Sequence, residues 1–138
     1  MTATPLSFQE AWIADLKTYS AVFNSGTSTN PFPLEIRETE WQGTDFTYPN
    51  IRVSLDFMPS INGCGPDDAD VYIEVFSEEK SSKEATTIAS MIVGLYHKHP
   101  FTSGGVDFST VVVRKASAPE RSIYAWVSKV HIYCKGVE

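Results

Sequence analysis

Strict alternation between apolar and polar residues in two stretches constrains the fold of this chain more than any other feature. Residues 50–58 alternate throughout, and the apolar side carries Ile51, Val53, Leu55 and Phe57. Residues 70–77 repeat the pattern, with Val71, Ile73 and Val75 on one face. A period of two is typical of β-strands that bury one face. The chain is therefore predicted to form a sheet, and other segments must cover its apolar face.

Two segments with helical spacing supply that cover. The first spans residues 7–23, where Ser7 followed by Glu10 predicts a capping box at the start of a helix. The second begins after Ser81, with Glu84 completing another capping box, and ends before Pro100. The apolar stripes are Phe8, Trp12, Ile13, Leu16 and Tyr19 in the first helix, and Ala85, Ile88, Ala89, Ile92, Leu95 and Tyr96 in the second. Spacings of three and four residues put each stripe on one helix face.

The remaining segments complete an α+β pattern. Residues 34–41 alternate weakly and predict an edge strand, residues 59–69 have the composition of a loop, and residues 106–115 and 122–135 predict two further strands. The order is helix, weak strand, two strands, helix, two strands. We therefore expect one domain over residues 1–138, with an antiparallel or mixed sheet of four to five strands and two helices packed on it.

Charge and length exclude several classes of protein. The 138 residues include 17 Asp and Glu against 11 Lys and Arg, which gives a net charge of −6. A general nucleic-acid binder needs clustered cations to neutralise phosphates, so this class is not expected. The longest apolar run, residues 88–96, is too short to cross a membrane, and the N-terminus lacks the pattern of a secretory signal. We expect a soluble intracellular protein that does not contact membranes.

The potential metal ligands do not form a recognisable set. The candidates are His97, His99 and His131, with Asp67, Asp68 and Asp70 in the predicted loop. Zinc needs three or four converging ligands, and the calcium loop of EF-hands has a spacing that the aspartates do not follow. We therefore expect no metal site, with polar residues at a helix C-terminus and solvated carboxylates as the alternative roles.

No catalytic motif occurs in the sequence, so no catalytic residue, cofactor or enzymatic activity is expected. One alternative stays open, namely a small cytosolic enzyme or ligand-binding domain that uses Cys64 with one of the histidines. Cys64 and Cys134 are expected to be free thiols in a reducing compartment, and a disulfide between them is the other possibility.

Five aromatic residues remain near predicted loops after the helices and strands are assigned: Phe32, Trp41, Phe46, Tyr48 and Phe101. Exposed aromatic side chains on loops often contact other proteins. The equally open alternative is that these rings pack over the ends of the sheet.

The order and sequence of these elements resemble a family of bacteriophage proteins. The segments that carry the resemblance are Y-P-N-I-R-V at 48–53, D-V-Y-I-E-V-F-S-E-E-K-S-S-K-E-A at 70–85, I-A-S-M-I-V-G-L-Y-H-K at 88–98, V-D-F-S-T-V-V-V-R at 106–114 and S-I-Y-A-W-V-S-K-V-H-I-Y at 122–133. With the first helix in front, this layout is similar to that of the tail terminator or tail-completion proteins, also called head–tail joining proteins, of long-tailed bacteriophages. The loop at residues 59–69 departs from the short hairpin of that pattern.

The resemblance implies a structural role in the virion. Members of the family form a hexameric ring on the last ring of the tail tube, end tube polymerisation and present a surface to the neck of the filled head. The implied partners are further copies of the chain, the major tail-tube protein and a head-completion or neck protein. Assembly would take place in the cytoplasm of the host bacterium. A head-closure protein or a tube subunit is the alternative within the virion.

A ring that DNA must cross gains from a lumen that does not bind phosphates. The net charge of −6 on each subunit repels the DNA backbone, which fits passage of genomic DNA rather than binding. We expect the acidic residues Asp67, Asp68, Asp70, Glu78 and Glu79 to face the lumen or a boundary between subunits.

Overall fold

The computed structural model describes residues 3–24, 35–39, 50–60, 66–77, 82–121 and 125–138. Its helices are α1 (Pro5–Thr18), α2 (Ser20–Asn24) and α3 (Lys83–Tyr96). Its strands are β1 (Glu35–Glu38), β2 (Asn50–Met58), β3 (Asp67–Ser77), β4 (Phe101–Ser103), β5 (Val106–Ala116), β6 (Glu120–Arg121) and β7 (Trp126–Val137).

The strands form one mixed sheet, which confirms the predicted α+β class. The sheet is seven-stranded, in the order β1-β2-β3-β7-β5-β4 with β6 paired to β7. β1 runs parallel to β2, and the other pairs are antiparallel. The prediction of four to five strands was therefore too low. The strands β4 and β6 have three and two residues, too few for alternation to become visible in a sequence.

The hairpin between β4 and β5 has a sequence signal of its own. Ser103 pairs with Val106, so the turn consists of Gly104 and Gly105 alone. Both glycines have positive φ angles, 58° and 79°. A two-residue turn of this kind matches the twist of the flanking strands and requires positive φ at both positions, which glycine adopts at little cost. The Gly-Gly pair therefore explains a short strand that the apolar pattern does not predict.

The sheet curls around α1. The ring of Phe8 lies 5.0 Å from the ring of Phe57 on β2 and 5.1 Å from the ring of Phe108 on β5. The strands β3 and β7 separate β2 from β5 in the sheet. One side chain can reach both only if the sheet bends so that its two halves approach each other. Gly136 on β7 lies beneath these rings and leaves room for them.

Helix α3 packs on the same side of the sheet, against β3, β5 and β7. Its last residue, Tyr96, donates a 2.7 Å hydrogen bond to the Asp15 carboxylate of α1, and its ring lies 4.9 Å from that of Trp12. Burial raises the pKa of both groups, Asp15 and Tyr96. The two helices are thus joined in one layer, which covers the apolar face predicted from the alternation.

The predicted cap of the first helix was wrong. The N-cap of α1 is Thr4, three residues before the expected Ser7, because the Thr4 hydroxyl accepts a hydrogen bond from the Ser7 amide and the Ser7 hydroxyl accepts one from the Thr4 amide. Pro5 follows at the first helical position, where its missing N–H costs nothing. The predicted single helix over residues 7–23 is divided at Tyr19 into α1 and α2.

The start of α3 also differs from the predicted capping box. Ser82 precedes the helix without a side-chain capping bond, and Ser81 lies outside the described residues. Glu84 is buried and accepts a 2.8 Å hydrogen bond from the hydroxyl of Ser77 at the end of β3. The glutamate therefore joins the helix to the sheet.

Candidate functional site

The side of the sheet opposite the helices carries a group of polar side chains that are close to one another. In β3 the odd-numbered residues from 67 to 77 are buried, so the even-numbered residues point away from the helices. Strand register aligns them with polar residues of β2, β7 and β5. We call this surface the open sheet face; it comprises Ser54, Asp56, Asp68, Asp70, Tyr72, Glu74, Arg114, Lys115, Lys129, His131, Tyr133 and Lys135.

Asp67 and Asp68, at the end of the predicted loop, belong to the same strand as Asp70. β3 begins at Asp67, so Asp67, Asp68 and Asp70 pair with β7, and the prediction of a loop over residues 59–69 was wrong for its last three positions. Asp67 is 7% exposed, and its Oδ1 accepts a 2.6 Å hydrogen bond from the Ser60 amide. Asp67 therefore adds little charge to the surface, whereas Asp68 and Asp70 lie on the open sheet face.

Asp68 is held by two residues of β7. The Tyr133 hydroxyl donates to its Oδ1 at 3.0 Å, and the Lys135 Nζ lies 3.7 Å from the same oxygen. The Arg114 guanidinium lies 5.1 Å from the centre of the Tyr133 ring, close enough for a cation–π contact. Desolvation and the bond to Asp68 raise the pKa of Tyr133. The phenol therefore stays protonated and remains a hydrogen-bond donor at neutral pH.

Asp70 forms a second group with His131. The His131 Nε2 lies 3.0 Å from Asp70 Oδ1, and the imidazole stacks on the Tyr72 ring at 4.8 Å with an angle of 19° between the planes. Desolvation, followed by the nearby charges of Asp56 and Asp70, raises the pKa of Tyr72. The stack and the hydrogen bond together fix the orientation of the imidazole, and Tyr72 remains 37% exposed.

A groove of about 460 Å³ opens beside this pair. Its walls include Ser54, Tyr72, Glu74, Lys115, Lys129 and His131. The volume lies in the range of small-molecule sites, roughly 300–1,000 Å³. The arrangement offers cations, one carboxylate, hydroxyl groups and an aromatic surface within one depression, which is suited to binding a polar ligand.

The histidines and the described cysteine do not come together in a catalytic arrangement. His97 lies at the end of α3, where its Nδ1 accepts a 3.1 Å hydrogen bond from the Val113 amide, whereas His131 lies on the open sheet face. His99 is exposed. Cys134 is fully buried, and burial raises the pKa of its thiol to about 12, so it is not a reactive thiolate. Cys64, and with it the possible disulfide, lies outside the described residues.

The predicted contact residues are only partly within the described ranges. Phe32, Trp41, Phe46, Tyr48, Glu78 and Glu79 lie outside them. Phe101 lies in β4, with its ring 4.9 Å from the ring of Trp12 and 4.8 Å from that of Phe108. This ring therefore packs on the core at the end of the sheet. For Phe101 this agrees with the alternative expectation, that the aromatic rings pack over the ends of the sheet.

Metal and membrane sites were searched in the same ranges. Within the described residues, no three His, Cys, Asp or Glu side chains are grouped so that they could hold a metal ion. In those ranges, each helix is too short or too polar to span a lipid bilayer.

Sequence reasoning missed the groove, although it identified the strands that form it. Tyr72 and Glu74 occupy polar positions of a predicted alternating strand, and their common face was readable from the period of two. Their approach to Lys129 and His131 depends on the register between β3 and β7, which are joined through a long stretch of chain. No local signal gives this register.

Comparisons with known proteins support the fold alone. No family profile and no curated protein matches the sequence. A solved structure resembles the chain with a TM-score of 0.64 at 15% sequence identity, over 98% of this chain and 96% of the other. The name of that protein states no activity, ligand or partner. The arrangement of helices and strands is therefore one that a known protein also adopts.

Proposed function

We propose that the chain is a structural subunit of a ring that caps the tail tube of a long-tailed bacteriophage, ends tube polymerisation and joins the tail to the head. The main observation in support of this proposal is the order of the elements. Helix α1 precedes the sheet, α3 lies between β3 and β4 in the chain, and the long strands β5 and β7 follow. This is the layout on which the resemblance to tail terminator proteins rests. The role involves no catalytic step and no cofactor.

The assembly would place the protein in the virion at the head–tail junction. Its partners would be further copies of the chain, the major tail-tube protein and a head-completion or neck protein, with genomic DNA passing through the lumen. A ring of identical subunits needs two different surfaces on each subunit that fit one another.

The two ends of the described sheet are different from each other. At one end lies β1, with the charged sequence E-I-R-E, and at the other lies β4, with F-T-S followed by the glycine turn. Within the described ranges each of these strands is paired on one side only. The ends differ in charge and in shape, so head-to-tail contact between copies is compatible with the fold.

Three of the five acidic residues proposed for the lumen or a subunit boundary have partners within the chain or are buried. Asp67 is buried, Asp68 is paired with Tyr133 and Lys135, and Asp70 is paired with His131. Substituting these aspartates would disturb the contacts of the chain itself. Glu78 and Glu79 are therefore the sharper targets for a test of the acidic surface.

Assembly with purified components is the direct test. We expect the protein to bind preformed tail tubes at one end and to stop their growth, as measured by mass photometry of the protein and by electron microscopy of tubes grown with and without it. A phage lacking the gene should make tails of abnormal length. If the protein leaves tube growth unchanged and the deletion leaves tail length unchanged, the proposal is wrong.

The same experiment separates the two alternatives within the virion. A tube subunit would polymerise alone into long fibres, whereas a head-closure protein would bind filled heads without stopping tube growth. Charge reversal by Glu78→Lys with Glu79→Lys is expected to lower phage titre through impaired assembly or DNA ejection. Glu10→Lys is the matched control because Glu10 is exposed on α1, and a titre lowered equally by both changes would count against the acidic lumen.

A further inference from the structure

We propose that the groove on the open sheet face binds a phosphate group, held chiefly by Lys115 and Lys129. Both lysines line the groove, on the neighbouring strands β5 and β7. In the part of the chain that the structure describes, neither of them forms a salt bridge. The proposal concerns the isolated chain and does not rest on ring formation.

The other charges of the open sheet face are largely matched within the chain. Asp68 is close to Lys135, and Asp70 is bonded to His131. These pairs engage two of the carboxylates of that face. Lys115 and Lys129 form no salt bridge within the described residues, so their charge is available to a ligand, and lysine ammonium groups bind phosphate as compact cations with several donors.

Neighbouring groups add hydrogen-bonding capacity. His131 lies opposite Lys115 in the strand register, so the imidazole is part of the same patch. The side chains of Ser54 and Ser117 also line the groove. The serine hydroxyl groups can donate to phosphate oxygens beside the two ammonium groups. Such a mixture of cations and neutral donors fits an oxyanion with several acceptor oxygens.

Among the described residues, Glu74 is the one carboxylate that lines the groove, opposite Lys129 in the register between β3 and β7. Its negative charge opposes anion binding. The proposal therefore predicts opposite effects on phosphate affinity for substitutions of Glu74 and of the two lysines. Removing this charge should tighten phosphate binding, whereas removing either groove lysine should weaken it. A purely structural role of the groove would not produce opposite effects on binding.

The experiment is a titration of the isotope-labelled full chain followed by backbone amide shifts at constant ionic strength. The probes are inorganic phosphate and a ten-nucleotide single-stranded DNA. We expect saturable shifts at the groove residues. Saturation by inorganic phosphate identifies a small phosphate compound as the ligand, whereas saturation only by the oligonucleotide, weakening as salt rises, identifies a nucleic-acid backbone.

Four variants test the assigned contacts. Lys115→Ala and Lys129→Ala should each weaken binding by about five- to tenfold, because each removes a charged contact. Glu74→Gln should tighten binding by about two- to threefold, since a repelling charge is lost. Lys135→Ala is the matched control: it removes the same charge from β7, but Lys135 lies beside Asp68 rather than in the lining of the groove, so binding should change less than about twofold.

Three results would overturn the proposal. The first is the absence of saturable shifts with either probe. The second is a loss of affinity in Lys135→Ala equal to that in Lys129→Ala, which would indicate unspecific attraction. The third is an equal response to acetate at the same ionic strength, which would indicate a general anion effect. All four substituted side chains lie on the sheet surface, so every variant should keep the fold. Circular dichroism verifies this.

Discussion

Gly136 lies where strand β7 passes beneath two aromatic rings, and its substitution by alanine tests the curled sheet directly. A Cβ at this position would lie 2.8 Å from Cδ1 of Phe108 and 3.1 Å from Cζ of Phe8. Carbon atoms in good contact are about 3.5–4.0 Å apart, so the rings would have to move by roughly 0.5 Å or more. Both rings are fully buried and are packed against further aromatic side chains.

The cost of Gly136→Ala follows from this overlap. Forcing extra carbon atoms into a packed core typically costs about 1–3 kcal/mol. We therefore expect the free energy of unfolding to fall by about 2 kcal/mol, which for a chain of this length lowers the Tm by roughly 6–10 °C. Urea unfolding followed by fluorescence and thermal unfolding followed by circular dichroism both measure the change.

Gly94→Ala is the matched control. Gly94 is exposed in α3, and a Cβ there would have no atom within 4 Å. Alanine is the better helix former, so this change should raise the free energy of unfolding by about 0.5–1 kcal/mol. A Phe108→Leu change combined with Gly136→Ala should cost less than the sum of the two single changes. If Gly136→Ala is neutral or stabilising, the rings of Phe8 and Phe108 do not pack as closely above Gly136 as described, and the reasoning is refuted.

Other predictions concern buried polar groups. Burial raises the pKa of the Asp15 carboxyl above its ordinary value of 3.8 in the folded chain. Ionised Asp15 therefore destabilises the folded chain relative to the unfolded one, and the free energy of unfolding falls as the pH rises above 3.8. The Asp15→Asn variant should therefore be more stable than the parent at pH 7 and lose this advantage below about pH 3.8 in urea unfolding across pH. Ser77→Ala removes a hydrogen bond to the buried Glu84, and urea unfolding should show a loss of about 1–3 kcal/mol. In a Cys64→Ser background, Cys134 should react with a thiol reagent only as fast as the protein unfolds, because the thiol is buried; rapid modification of the native protein would contradict its burial.

The sequence was most informative where one local rule was sufficient. The bounds of β2 agree with the predicted residues 50–58, because the alternation is uninterrupted and proline flanks it on both sides. The helix α1 had two possible serine or threonine caps, Thr4 and Ser7. The deciding signal was Pro5, which fits the first helical position after Thr4. Weighing that proline would have placed the helix start correctly.

The start of β3 shows why other parts of the fold, and the groove, could not be predicted from the sequence. Aspartate is depleted in strands, so a Gly- and Pro-containing segment with Asp67, Asp68 and Asp70 has the composition of a loop. These carboxylates are tolerated in the strand because Ser60, Tyr133 and His131 provide partners. The last two partners lie about sixty residues further along the chain, so no local pattern contains them. The groove depends on the same distant pairing.

The position of β7 has a consequence for how this chain acquires its structure during synthesis. β7 lies between β3 and β5 and forms long antiparallel ladders with both, yet it is the last of the described strands in chain order. Among the described strands, a nascent chain that lacks residues 126–137 therefore holds two separate half-sheets, β1-β2-β3 and β5-β4, with no strand ladder between them. Because long-range strand pairing is slow, the two half-sheets stay unpaired with each other until residues 126–137 leave the ribosome. Folding of the complete sheet should thus begin only after β7 has emerged, and chaperone binding to a chain stalled before this point should end once these twelve residues emerge.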